Sequence, residues 1–208
     1  MCSVVCGSNV SQPEAVVRLF EQSRIRGLHA FGYAYVKDGR LLLRRFLDYS
    51  EFVRSFKHEA PSKFIAHFRY STSGDWQVES NNQPIIRNGI AIAFNGVLDM
   101  RTKSEIEAAY QIQMNTDNDA EIALHIANQS GLSATDDHEL IDFINDKQRT
   151  FAGAFLTETN RLFILRNARR PLAVGHLDGQ TFVASTADIL RRSEMPYKTT
   201  PTNVFVEL

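Results

Sequence analysis

Short apolar runs bounded by turn residues crowd both ends of this chain, while longer amphipathic runs fill its centre. Ser3 to Cys6, Phe31 to Val36, Leu41 to Phe46, Lys63 to Phe68, Pro84 to Ile86 and Gly89 to Phe94 read as strands. Lys37-Asp38-Gly39 and Asn88-Gly89 mark hairpin turns among them. Strands return at Phe151 to Thr157, Leu162 to Arg166, Leu172 to Val174, Thr181 to Ala184 and Val204 to Val206. Between the two sets, Thr102 to Gln113, Ala120 to Gln129 and Asp136 to Lys147 carry helical spacing, with Leu140, Ile141 and Ile144 on one buried face. Ser11 as N-cap, Pro13 and Glu14 start a further helix bearing Val16, Val17, Leu19 and Phe20, with Gly27 as its stop. Shorter helices are expected at Ser50 to Phe56 and Ala187 to Arg192. Strands segregated from helices in this way predict an α+β fold of antiparallel sheets with helices packed outside. Without repeat, low-complexity stretch or linker, residues 1–208 read as a single domain.

Several classes of function are disfavoured by composition. The 208 residues are 43% hydrophobic and 23% charged with a formal net charge of −1, so neither nucleic acid nor an anionic membrane is signalled as a partner. No apolar run reaches the roughly 18 residues of a membrane span, and the N-terminus lacks a basic segment with an apolar core, which predicts a cytoplasmic protein. The only cysteines are Cys2 and Cys6, too few for a disulfide framework. The six histidines are dispersed singly, so neither a metal nor another cofactor is expected.

Cys2 directly follows Met1. Removal of Met1 would leave a thiol and a free α-amine on one residue, with ordinary pKa values of about 8.5 and 7.7–8.0. The amine could take the thiol proton without a distant histidine, the arrangement of an N-terminal nucleophile hydrolase. A cysteine at position two is also compatible with no role at all. If Ser3 to Cys6 is a strand, Cys2 and Cys6 share a face, and Cys6 is a small buried core residue.

Three further stretches admit two readings each. Arg69 lies in His67-Phe68-Arg69-Tyr70-Ser71-Thr72-Ser73-Gly74, where a strand gives way to the longest polar loop. It could hold a carboxylate in its planar fork, or form a surface ion pair. Asn95-Gly96 follows the strand ending at Phe94. It is a turn signal, or an amide and a backbone N–H that together form an oxyanion hole. Asp119, at the start of the helix from Ala120, is an N-cap or an anion for a substrate ammonium.

The order of these motifs resembles the glutaminase domain of class II glutamine amidotransferases, as in glucosamine-6-phosphate synthase and amidophosphoribosyltransferase. The resemblance runs through Met1-Cys2, Arg26-Gly27 with Gly32, His67 to Gly74, Asn82-Gln83-Pro84, Phe94-Asn95-Gly96 and Thr116-Asp117-Asn118-Asp119-Ala120-Glu121. Phe151-Ala152-Gly153-Ala154, Leu165-Arg166 and Phe182-Val183-Ala184-Ser185 look like the family's late strands. It implies a four-layer αββα sandwich and a reaction on L-glutamine. Cys2 would attack the side-chain amide, with Asn95 and the Gly96 N–H stabilising the oxyanion. Arg69, Thr72 and Ser73 would bind the substrate carboxylate, and Asp119 with the Gly96 carbonyl the ammonium. Arg26 resembles an arginine that orders the nucleophile's surroundings.

Some relatives carry His where this chain has Ser73, so no proton transfer is assigned to Ser73. Asp117 competes with Asp119, although Glu121 and the following helix favour Asp119. No synthase sequence follows Leu208, so the resemblance implies a glutaminase whose ammonia reaches a separate acceptor subunit. A hydrolase of another γ-glutamyl amide and a non-catalytic glutamine- or partner-binding module are the competing expectations.

Overall fold

The computed structural model describes residues 1–71, 74–130, 132 and 138–208. Its strands are β1 Ser3–Ser8, β2 Ala30–Lys37, β3 Arg40–Phe46, β4 Phe64–Arg69, β5 Ile85–Arg87, β6 Ile90–Val97, β7 Thr150–Thr157, β8 Leu162–Arg166, β9 Ala173–Leu177, β10 Gln180–Ala184, β11 Tyr197–Thr199 and β12 Val206–Glu207. Its helices are α1 Pro13–Arg24, α2 Tyr49–Glu59, α3 Lys103–Tyr110, α4 Ala120–Ser130, α5 His138–Asn145 and α6 Ala187–Arg192. The strands form a seven-stranded sheet, ordered β11-β9-β10-β1-β4-β2-β3, and a five-stranded sheet, ordered β12-β8-β7-β6-β5. The pairings in both are antiparallel.

The alternation of side chains along each strand explains why these sheets stack. Val4, Cys6, Ala34 and Ile65 meet Ala91, Ala93, Ala152 and Ala154 in the layer between the sheets. Their small size lets the two backbones approach closely. The opposite faces carry the bulk. Tyr33, Tyr35, Phe64 and Phe68 pack under α1, α2 and α6, and Phe20 lies 4.8 Å from both the Phe52 and Phe56 rings. Ile92, Phe94, Phe151 and Phe155 pack under α3, α4 and α5. Two sheets between two helical layers make the expected αββα sandwich. Large rings outside and alanines inside leave one stable order of layers.

Local differences from the sequence reading have local causes. The N-cap of α1 is Gln12 rather than Ser11 and makes no side-chain cap bond. The Ser11 and Gln12 N–H groups donate instead to Gln180 Oε1 on β10, so a tertiary acceptor replaces the local cap. Helix α1 ends at Arg24, ahead of Gly27. A Cβ on Gly27 would lie 2.3 Å from the Phe68 carbonyl oxygen. That glycine serves close approach to β4 rather than helix termination. Strand β11 is polar and exposed and carries no apolar alternation that would announce it. The expected start of the third central helix at Asp136 lies outside the described residues.

Candidate active site

Pairing of β1 with β4 places Ser3 opposite Phe68, which brings Cys2 to the strand end at Arg69. The Tyr70 N–H donates to Cys2 Sγ at 3.4 Å, and the thiol lies 3.6 Å from the Tyr70 carbonyl. Arg26 Nε donates to the Cys2 carbonyl at 3.2 Å. Burial pushes the Cys2 thiol above its ordinary value. The Tyr70 amide, the chain's terminal ammonium and the Arg69 guanidinium pull it back, while the Asp119 carboxylate adds to the rise. Cys6 is buried between the sheets, where desolvation alone raises its thiol.

Asn95-Gly96 is not a turn. Both residues lie inside β6, with Asn95 opposite Ala152 and Gly96 opposite Phe151. Phe151 gives its N–H to Asn167 Oδ1 and accepts the Asn167 N–H on its carbonyl. Antiparallel pleating therefore turns the Gly96 N–H away from β7, to the side where the Phe94 N–H meets Gln83 Oε1 at 2.7 Å. Gly96 is required by space, because a Cβ there would lie 1.9 Å from the Thr150 carbonyl oxygen. Asn95 is 3% exposed, and its Nδ2 is buried without a hydrogen-bond partner among the described residues. An amide donor left unsatisfied in a core is costly unless something else accepts from it.

Arg69 is buried. Its Nη1 donates to the Asn81 carbonyl and, at 2.8 Å, to Asn82 Oδ1. Its Nη2 donates at 3.3 Å to Ser71 Oγ and at 3.2 Å to the Gly74 carbonyl. The fork thus holds the polar loop, with its two longer contacts at Nη2. Thr72 and Ser73 lie outside the described residues.

The Asp119 side chain does not turn to the start of α4, where a neighbour supplies the capping oxygen. Asn118 fills that place, accepting the Ala120 N–H on Oδ1 at 3.0 Å. Asp119 Oδ2 accepts the N–H groups of Leu98 at 2.7 Å and Asp99 at 3.2 Å. Burial pushes its carboxyl up to about 6 against those two bonds. Glu121, 1% exposed, accepts the Asn115 and Thr116 N–H groups and pairs with Arg87 at 3.2 Å. This arrangement shapes the loop that delivers Asp119. Asp117 turns instead toward Asn81 Nδ2, at 3.3 Å.

One small cavity, about 40 Å³, is lined by Cys2, Arg69, Gly96 and Asp119 together with His67, Tyr70, Ser71, Gln83, Phe94 and Asn118. Four of the residues singled out from the sequence therefore share one space, with Asn95 adjacent in β6 and Arg26 behind Cys2. Room of this size suits a water rather than an amino acid, so a larger ligand must part the walls. A wider cleft of about 540 Å³ runs along Val97 to Arg101, Tyr110 and Arg149, and Cys2 is not part of its lining. Among the described residues, no three His, Cys, Asp or Glu side chains gather as a metal site. Also among them, no helix is long and apolar enough to cross a membrane.

The sequence reading assigned no part to Gln83, Asn118 or Tyr70, although all three lie in quoted motifs. Their contributions are a bridge to the Phe94 N–H, a helix cap and a backbone N–H. Clustered amides between strands, Asn81-Asn82-Gln83, were the available signal.

Residues 67–192 match the family model of a glutamine amidotransferase domain. Over 198 residues the chain is 30% identical to the glutamine–fructose-6-phosphate aminotransferase (isomerizing) of Rhizobium meliloti, covering 90% of this chain and 32% of that protein. A Brucella abortus protein of the same description is 28% identical over 201 residues, again 32% of its length. The chain thus spans about a third of these curated relatives. Its fold matches the glutamine phosphoribosylpyrophosphate amidotransferase of B. subtilis with a TM-score of 0.73 at 16% identity, over 100% of this chain and 49% of that one. A glutamine aminotransferase class-II domain protein from Silicibacter pomeroyi matches with a TM-score of 0.60 at 14% identity, over 100% of this chain and 98% of that one. With the family model spanning more than half of the chain and the αββα layers matching throughout, the protein belongs to the class II, N-terminal-nucleophile glutamine amidotransferases.

Proposed function

We propose that this domain hydrolyses L-glutamine to glutamate and ammonia through Cys2, once Met1 has been removed. The observation that carries the proposal is the shared cavity of Cys2, Arg69, Gly96 and Asp119, beside the Asn95 Nδ2, which has no partner among the described residues. Glutamine is a zwitterion at one end and a neutral amide at the other. Arg69 takes its carboxylate at Nη2, helped by Thr72 and Ser73, and Asp119 with the Gly96 carbonyl takes its ammonium. Such a clamp places the amide carbon at the thiol.

Cys2 Sγ adds to that carbon as the thiol proton passes to the residue's own α-amine. Asn95 Nδ2 and the Gly96 N–H donate to the oxyanion, each worth about 2.7–4 kcal/mol. The amine returns the proton to the leaving nitrogen, the C–N bond breaks, and ammonia departs from a γ-glutamyl thioester. Water then adds to the thioester and releases glutamate and the thiol. Arg26, bonded to the Cys2 carbonyl, holds the main chain of the nucleophile in place.

The ammonia serves an acceptor enzyme, proposed as a separate synthase subunit. The curated relatives are glutamine–fructose-6-phosphate aminotransferases of which this chain matches only 32%, which supports an acceptor site outside the shared region. Glutamate release from glutamine, with and without Cys2→Ala, is the direct test. Release that persists in the variant overturns the assignment of the nucleophile. Intact mass showing Met1 retained in the active protein overturns the α-amine as base.

A further inference from the structure

The Tyr70 N–H points at the Cys2 sulfur, and Tyr70 itself must be held for that contact to persist. Tyr70 opens the polar loop and is 46% exposed, so packing does not fix it. His29, on the segment between α1 and β2, brackets it on both sides. The His29 N–H donates to the Arg69 carbonyl at 3.0 Å. The His29 Nδ1 accepts the Ser71 N–H at 2.9 Å, which in the neutral ring leaves the proton on Nε2. The imidazole also lies between two aromatic rings. Its centroid is 5.0 Å from Tyr70 and 5.4 Å from Trp76, with interplanar angles of 24° and 25°.

Two hydrogen bonds therefore hold residues 69 and 71, and one stack holds the ring of residue 70. Both backbone groups of Tyr70 face the thiol, its N–H at 3.4 Å and its carbonyl at 3.6 Å. The second stack ties the same imidazole to Trp76, farther along the loop. Of the two bonds, the one to Arg69 comes from the His29 main chain and survives substitution, whereas the one to Ser71 depends on the imidazole. Among the described residues His29 bonds to Arg69 and Ser71 rather than to Cys2, so its effect on the thiol passes through the Tyr70 peptide.

We infer that His29 is a positioning residue that sets the Tyr70 amide against the Cys2 sulfur, and so governs how readily the thiol becomes a nucleophile. The inference rests on Cys2 as the reacting group, as proposed above. A thiolate is favoured by an N–H aimed at it, and that N–H is only as well aimed as the peptide carrying it. The ring nitrogen and the two ring faces have separable parts. Nδ1 anchors Ser71, and the faces order Tyr70 and Trp76.

The test is the pH dependence of iodoacetamide alkylation at Cys2, located by peptide mass and read alongside kcat and KM for glutamine. His29→Phe keeps the stack and removes the Nδ1 acceptor, whereas His29→Asn restores an acceptor at that position without the aromatic faces. Arg26, Arg69, Asp119 and the chain terminus, the charged groups facing the thiol, are unchanged in both. The expected result for His29→Phe is an alkylation midpoint moved to higher pH and kcat lowered by about tenfold, with KM little changed. In His29→Asn the midpoint returns at least halfway to that of the unsubstituted protein.

A His29→Phe midpoint equal to that of the unsubstituted protein overturns the inference, as does a His29→Asn variant no better than His29→Phe. Should His29→Phe fail to fold, Trp76→Leu removes only one face of the stack and must still raise the midpoint. Alkylation needs no turnover. A midpoint that moves in a protein unable to hydrolyse glutamine would therefore overturn the proposed reaction and leave the role of His29 standing.

Discussion

Asp119 Oδ2 lies 2.7 Å from the amide nitrogen of Leu98, two residues beyond Gly96 on the same chain segment. The proposed ammonium site and the proposed oxyanion donor are thereby tied through the main chain from Gly96 to Leu98. The Asp99 N–H adds a second bond at 3.2 Å. The carboxylate is anchored by two amides but desolvated by its surroundings, and its carboxyl is pushed up to about 6.

The raised Asp119 value sets the acid limit of substrate binding. Above about pH 6 the carboxylate is ionised and attracts an ammonium, and below it the group is neutral. In Cys2→Ala, which has no thiol titration, the dissociation constant for glutamine should rise about tenfold per pH unit below that point. Titration calorimetry between pH 4.5 and 8 checks this, and Asp119→Asn should bind weakly with no such dependence.

The same carboxylate should cost stability at neutral pH. Its folded-state value, about 6, lies above its unfolded value, so the folded state takes up the proton more readily. This contribution is therefore unfavourable above pH 6 and fades as pH falls toward 4. Asp119→Asn keeps an oxygen for the Leu98 and Asp99 N–H groups and removes the charge. At pH 7 it should be more stable by about 1–3 kcal/mol, with the gap to the unsubstituted protein closing near pH 4. Denaturant melts at the two pH values measure this.

Asn95→Ala removes a buried donor, Nδ2, that has no partner among the described residues. Its loss relieves an unsatisfied buried donor but opens a small cavity, opposing effects that should leave stability nearly unchanged. Its cost should appear in kcat, lowered by roughly 100- to 1,000-fold, with KM little affected. Steady-state kinetics beside a thermal melt separate the two effects.

Gly96→Ala should fail for a different reason. Its Cβ would meet the Thr150 carbonyl, a backbone atom of the neighbouring strand that cannot swing aside. Separation of β6 from β7 should cost more than about 3 kcal/mol. A lowered melting temperature with loss of activity is the expected outcome. A variant with an unchanged melting temperature would contradict the close approach.

The strand and helix order could be read from apolar spacing and turn residues because those signals are local. Asn88 and Gly89, both at positive φ, form the turn that their identities announce. Asn95-Gly96 carries a similar local signal, yet the pairing of β6 with Ala152 and Phe151 overrides it. For Asp119 the contest was between a nearby helix end and a remote pair of amides. Asn118 took the helix end and freed Asp119 for Leu98 and Asp99. The part of His29 could not be read at all, since its partners are about 40 residues away and mostly main-chain atoms.

Sequence alone determined the layers, because alternation commits large rings to one face of each strand and alanines to the other, and it determined which motifs matter through their order. Only the tertiary structure decided which atoms meet: that Cys2 lies against the Tyr70 amide, that Arg69 is spent on its own loop, and that Asp119 rather than Asp117 reaches the cavity. Those outcomes depend on backbone groups and on strand register across long chain separations. Residue identity does not encode them position by position.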